Sequence, residues 1–325
     1  MSKGKREMKE SSGGGFLSVL LVLALIGGGL YAAWRFLVQE PAKAVSAMGG
    51  EGAPTAEDEA PTGYARKKHC WTFLLVGTDK SGANTDSLIL VRYDADEQTV
   101  NMASIPRDTR VDVQRKLKKI NAAYANGGMG QLKEEVSRTF GIPIDFYAKV
   151  NVKGFAALVD ELGGVDFDVP CNMNYDDPAQ DLSIHYQKGM QHLSGQQALE
   201  VCRFRHNNDL SGYTDTGRME TQRAMLATIA KKLLSWKNLT KLNNYFAIVN
   251  EHTDTDLSLS DMAWFAEKAL SFDIEREGSF NAMMMPAAWR NPYMYLDPDA
   301  TLEMVNTYLN PYTKDLTADM LDIIP

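Results

Sequence analysis

Between residues 203 and 223 the chain reads RFRHNNDLSGYTDTGRMETQR, with arginine at 203, 205, 218 and 223 and no lysine. Planar guanidinium forks match phosphate oxygens two at a time, whereas an ammonium supplies only a point charge, so this choice of cation points to a phosphate ligand. ALEVCRFR alternates like a strand, which predicts Arg203 and Arg205 on one face and Cys202 and Phe204 on the other. A helix predicted from about Thr216 carries an apolar stripe of Met225, Leu226, Ile229 and Leu233, and Arg218 and Gln222 fall on that stripe. An inward guanidinium needs an anion beside it. Asp209, Asp215 and Glu220 could serve as an internal ion-pair network; a bound phosphate is the alternative.

A second polar group sits early in the chain. VGTDKSGANTDS puts Asp79 just past one apolar run and Asp86 at the entry to the next, the sheet edge where α/β folds bind ligands. Two carboxylates beside arginines suit a divalent cation that shares the phosphate. A turn aspartate plus a strand-start aspartate is the plainer reading. SIPRDTR adds Arg107 directly after a strand.

These residues need a scaffold. WTFLLVG and SLILVRY are continuous apolar runs of strand length, consistent with central strands covered on both faces, and TVNMASIP follows them. GQLKEEVSRTFG and VKGFAALVDELGG repeat apolar residues at helical spacing, with Gly141 and Gly163 placed as C-terminal caps. SDMAWFAEKALSF, starting at Ser260, and DATLEMVNTYL read as further helices around a short strand, NAMMMP. Interleaved strands and helices predict an α/β domain with helices on both faces of its sheet.

The chain has 325 residues, 44% hydrophobic, and a net charge of −8, which supports a real core and argues against a nucleic-acid binder. Residues 1–15 are basic, and Phe16 to Trp34 holds 19 residues without a charge, so residues 16–38 are expected to form a single membrane anchor with the N-terminus in the cytoplasm. A cleaved signal peptide is the alternative. Residues 39–68 read as a flexible linker, 69–312 as an extracellular domain and 313–325 as a tail. Three cysteines allow one internal pair at most. Cys171 with Cys202 is the favoured pairing and three buried thiols the alternative.

In order, LLVGTD, TDSLIL, SIPRDTRV, KINAAYANGG, FYAKVNVKGFAALVDELGGVDFDVP, LSGQQALEVCRFR and GRMETQR resemble the LytR-CpsA-Psr family of membrane-anchored bacterial phosphotransferases over residues 69 to 312. The resemblance implies a three-layer α/β/α sandwich around a mixed central sheet. It also implies transfer of a glycopolymer from an undecaprenyl diphosphate carrier to a peptidoglycan hydroxyl. Asp79 and Asp86 then look like magnesium ligands, and Arg107, Arg203, Arg205, Arg218 and Gln222 like the residues that hold the diphosphate. Asp79, Arg107, Arg203 and Arg205 look catalytic. Departures are Lys80 and Asn84 where many members carry arginines, a short loop between the two aspartates, and His206 where an acidic residue is frequent. A non-catalytic binder of lipid-linked intermediates and a lipid-diphosphate hydrolase are the competing readings.

Overall fold

A computed structural model describes residues 39–43, 64–78, 85–178, 182–211, 215–233, 244, 247–248, 251–269, 271–273 and 276–324. Residues 42–257 with 268–325 form the main body. Its central sheet is mixed. Among the described residues six strands pair in it: β1 (Cys70–Thr78), β2 (Thr85–Asp94), β3 (Thr99–Ile105), β4 (Phe146–Asn151), β9 (Thr253–Thr255) and β10 (Phe280–Met284), in the order β10-β3-β2-β1-β4-β9. β4 runs parallel to β1 and β10 parallel to β3, while the β1–β2, β2–β3 and β4–β9 pairs are antiparallel.

The apolar runs behave as strands covered twice. Leu74, Val76, Leu88, Leu90, Ala103 and Ile105 bury into one core with Leu132, Val136 and Phe140 of α1 (Ala122–Phe140). Their sequence neighbours Phe73, Leu75, Ile89, Val91 and Met102 form a second cluster on the other face, joined by Leu226 of α4 (Asp215–Leu233). Period-two side-chain alternation produces this split, and both layers are apolar because both faces are covered. α1 ends where Gly141 turns left-handed at φ 68°, and a Cβ there would meet the Met320 carbonyl oxygen at 2.7 Å.

A separate core lies under the arginine segment. α2 (Val152–Glu161) and α3 (Gly195–Arg203) pack with two antiparallel strand pairs, β5 (Val165–Val169) with β8 (Gly189–Leu193) and β6 (Met173–Asp177) with β7 (Leu182–Tyr186). Val159, Phe167, Ile184, Val201, Phe204, Met225 and Ile229 are buried together there. Because α4 contributes Met225 and Ile229 to this core and Leu226 to the sheet, it ties the two together.

A hairpin of β11 (Ala287–Arg290) and β12 (Tyr293–Leu296) precedes α6 (Pro298–Met304), which runs into a π-helical turn at Val305–Leu309. Both ends of the body are joined to it. Arg66 bridges to Tyr312 and donates to the buried Asp145 carboxylate at 2.7 Å, and Leu316 is buried in the α1 core.

Among the described residues, 39–41 and 258–267 form a second unit. In it α5 (Leu259–Ala269) is capped by Ser258, whose Oγ accepts from the Asp261 N–H at 3.1 Å, so the helix begins before the expected Ser260. The anchor expected at residues 16–38 lies outside the described residues, and among the described residues no helix is long and apolar enough to cross a membrane.

Candidate functional site

The segment ALEVCRFR is not a strand. Ser194 caps α3 through a reciprocal box with Gln197, and Ala198, Val201 and Cys202 recur at helical spacing on the buried side. Helix carries the chain as far as Arg203; Phe204 then turns extended (φ −60°, ψ 132°) and buries its ring. Arg203 and Arg205 therefore do not project in parallel from one strand face. They leave on either side of an anchored Phe204, Arg203 half-buried and Arg205 exposed.

Side-chain amides hold the following loop against β6. Asn207 Oδ1 accepts from the Asn174 N–H at 2.8 Å, Asn208 Oδ1 accepts from the Asp176 N–H at 2.9 Å, and the Asn208 N–H donates to the Asn174 carbonyl at 2.9 Å. This docking brings Tyr175 to the arginines. Its ring meets His206 edge to face, 5.1 Å between centroids, and its hydroxyl donates to Asp177 at 3.3 Å. Burial raises the Tyr175 phenol pKa and Asp177 raises it further, while Arg205 and Arg203 both pull it down.

α4 brings in the rest of the group. Arg218, in the first turn, is 9% exposed, and one turn later Gln222 donates to the Cys202 carbonyl at 3.1 Å. Both point inward as the apolar stripe predicts. Asp209 accepts from the Ser211 N–H at 2.9 Å, Glu220 is exposed, and the Asp215 side chain lies outside the described residues. Arg203, Arg205, Arg218 and Gln222 thus gather around the junction of α3, α4 and β6.

Strand register defines the other group. Thr78 pairs with both Thr85 and Asn151, and Leu88 pairs with Ile105, so β1, β3 and β4 end on the edge where β2 begins. Arg107 follows β3 on that edge, part-exposed, with Nε 4.0 Å from Asp108, whose carboxylate is also held by Lys119 at 2.9 Å. Asn121 fastens the start of α1 there: its N–H donates to the Arg107 carbonyl at 3.3 Å and its carbonyl accepts from Thr85 Oγ1 at 3.4 Å.

Asp79 lies outside the described residues. Asp86 belongs to β2, but its side chain is likewise outside them. Thr78 and Thr85, each immediately before one of the two aspartates in sequence, pair directly across β1 and β2. Among the described residues no three His, Cys, Asp or Glu side chains cluster to hold a metal. A depression of about 530 Å³, lined by Asp112, Gln131, Glu134, Glu135 and Arg138 among others, includes none of the predicted site residues.

All three cysteines are free, so the favoured Cys171–Cys202 bridge is absent. Cys202 packs into the core under the arginine segment, where burial pushes its thiol up to about 12; burial also raises Cys70. Alkylation of the native protein at about pH 8 should therefore spare Cys70 and Cys202, while all three react once the chain is denatured. A non-reducing peptide map carrying a linked Cys171–Cys202 pair would contradict this.

Tyr175, Asp177, Asn207 and Asn208 were not among the predicted residues. The only sequence cue was the asparagine pair after RFRH, and nothing in the chain names its partner strand.

The LytR_cpsA_psr family model matches residues 39–309. A Bacillus subtilis (strain 168) protein named polyisoprenyl-teichoic acid–peptidoglycan teichoic acid transferase TagV is 32% identical over 266 residues, 78% of this chain and 67% of that protein. A TagU of the same description from Bacillus cereus (strain ATCC 14579) is 30% identical over 252 residues, 75% of this chain and 78% of the relative. The chain spans 58% of a further relative, from Staphylococcus aureus (strain NCTC 8325), at 30% identity over 74% of its own length. The crystal structure of B. subtilis TagV aligns with a TM-score of 0.62 at 27% identity, over 80% of this chain and all of that one. TagT bound to LIIa-WTA aligns at 0.58 and 25% identity, over 73% and 88% of the two chains.

Proposed function

The chain belongs to the LytR-CpsA-Psr family, and from that premise we propose that it transfers a glycopolymer from a polyprenyl diphosphate carrier to a hydroxyl of peptidoglycan. The observation that carries this reading is the gathering of Arg203, Arg205, Arg218 and Gln222 at one junction. A teichoic acid is the polymer class favoured by the names of the relatives.

The proposed site works by electrostatics. Arg218 grips the diphosphate from the buried first turn of α4, where the helix dipole adds to the positive field. Arg203 and Arg205 bracket it from the other side of Phe204, and Arg107 meets the transferring group at the sheet edge. An acceptor oxygen attacks the phosphorus nearer the sugar, the bond from that phosphorus to the bridging oxygen breaks, and the lipid leaves as a monophosphate. The proton leaves the acceptor hydroxyl, and the product is a phosphodiester joining polymer to peptidoglycan. Fixed guanidiniums stabilise charge building on the leaving and equatorial oxygens without reorganising. Asp79 and Asp86 would hold Mg²⁺, which when bound neutralises part of the diphosphate charge.

Residues 16–38 would anchor the protein in the cell membrane, with the folded body outside. No nucleotide supplies energy there, and the sequence has no Walker A loop, so a donor that arrives already activated suits the compartment. The test supplies the full chain with a lipid-diphosphate oligosaccharide, Mg²⁺ and a glycan acceptor. Transfer with release of lipid monophosphate is the expected result. Free sugar phosphate would indicate a hydrolase, and donor binding without reaction a sensor.

A further inference from the structure

An acceptor hydroxyl must lose a proton, and the groups named so far are poor candidates to take it. Arginine does not deprotonate in proteins, and a carboxylate committed to a divalent cation has little basicity left. His206 follows Arg205 directly and packs on Tyr175, the ring that feels both Arg203 and Arg205. Its Nδ1 lies 2.9 Å from the Asn207 carbonyl oxygen, which can only accept, so Nδ1 carries the hydrogen. A neutral imidazole then has its lone pair on Nε2. The tautomer that a general base requires is set by the backbone itself.

The surroundings fix the ring as well as its proton. Tyr175 packs against it edge to face at 5.1 Å, and this same tyrosine feels the charge of both Arg203 and Arg205. The loop cannot drift, because Asn207 and Asn208 bond to β6 on either side of Tyr175. Among the described residues, Tyr175 of β6 stands against the ring, and that tyrosine in turn bonds Asp177 and feels Arg203 and Arg205 of the ring's own segment. Asp176, also on β6, is already engaged by Ser183, His185 and Asn208.

Resting on the transferase reading, we infer that His206 is the general base: its Nε2 takes the proton from the acceptor hydroxyl as the oxygen attacks phosphorus. The proton moves from oxygen to Nε2, the ring becomes imidazolium beside Tyr175, and it returns the proton to solvent after the lipid monophosphate departs. Positioned bases of this kind contribute about 10²–10⁴-fold.

The test compares wild type, His206→Asn and His206→Gln as full chains in detergent. Single-turnover transfer is followed from about pH 5 to 9, and donor binding is measured separately. Asparagine places an N–H where Nδ1 stands, so it can keep the bond to the Asn207 carbonyl while lacking a base. The expected result is that His206→Asn binds the lipid diphosphate like wild type but transfers about 10²–10⁴-fold more slowly. Transfer by His206→Asn within about 3-fold of wild type would overturn the assignment. So would loss of donor binding in both variants, since the ring would then be structural. Absence of transfer by wild type itself would defeat the transferase reading, and this assignment with it.

Discussion

Replacing Arg203 or Arg205 by alanine should cut transfer about 10²–10³-fold each, the usual cost of removing one fixed donor from developing transition-state charge. Folding should survive both changes. Arg205 is exposed, and substitutions at such positions usually fall within about 0.5 kcal/mol; Arg203 is half-buried but sits at the last helical residue of α3, outside the buried face. Arg203→Lys should restore only part of the rate, because an ammonium keeps the charge without the fork. Arg218→Ala should differ by costing stability too, since that side chain is buried. Kinetics paired with thermal melts separate these cases. Unchanged rates in the Arg203 and Arg205 variants would remove the site from the chemistry.

The second large effect concerns the scaffold under those arginines. A Cβ on Gly195 would stand 2.0 Å from the Ala156 carbonyl oxygen and 2.6 Å from its carbon, so α2 and α3 approach this closely only because residue 195 lacks a side chain. The Gly195 N–H also donates to Asp160 Oδ1 at 2.7 Å, which leaves the helix start no room to slide. Gly195→Ala should therefore destabilise the domain by about 3 kcal/mol, the upper end of overpacking costs. For a body of this size that is a fall of roughly 6–12 °C in Tm. Because α3 delivers Arg203, activity should drop even below the new melting point. A melt indistinguishable from wild type would mean that the two helices are not in contact as described.

Much of the scaffold was legible because it rests on local patterns. Apolar runs too continuous for a half-exposed strand led directly to β1 and β2, each feeding both cores, and Gly141 marked the end of α1. The inward turn of Arg218 and Gln222 followed from helical spacing alone. ALEVCRFR misled because Val201, Arg203 and Arg205 also satisfy a period of two. What decided it was the Ser194–Gln197 box a few residues upstream, together with the burial of Ala198 and Val201 as a helix face. Tyr175 could not be found this way: it reaches the arginines only because Asn207 and Asn208 bond to a strand more than thirty residues away. The free cysteines are similar, since sequence can count thiols but cannot show how their backbones face.

The central claim is that guanidiniums from the β3 edge, the α3 end and the α4 start hold one diphosphate. The most direct measurement is the crystal structure of the full chain purified from membranes with a polyprenyl diphosphate ligand retained. The account predicts both phosphates between Arg203, Arg205 and Arg218, with Arg107 on the sugar-side phosphate. Density for the diphosphate elsewhere on the protein, with those four side chains turned to acidic neighbours, would contradict it.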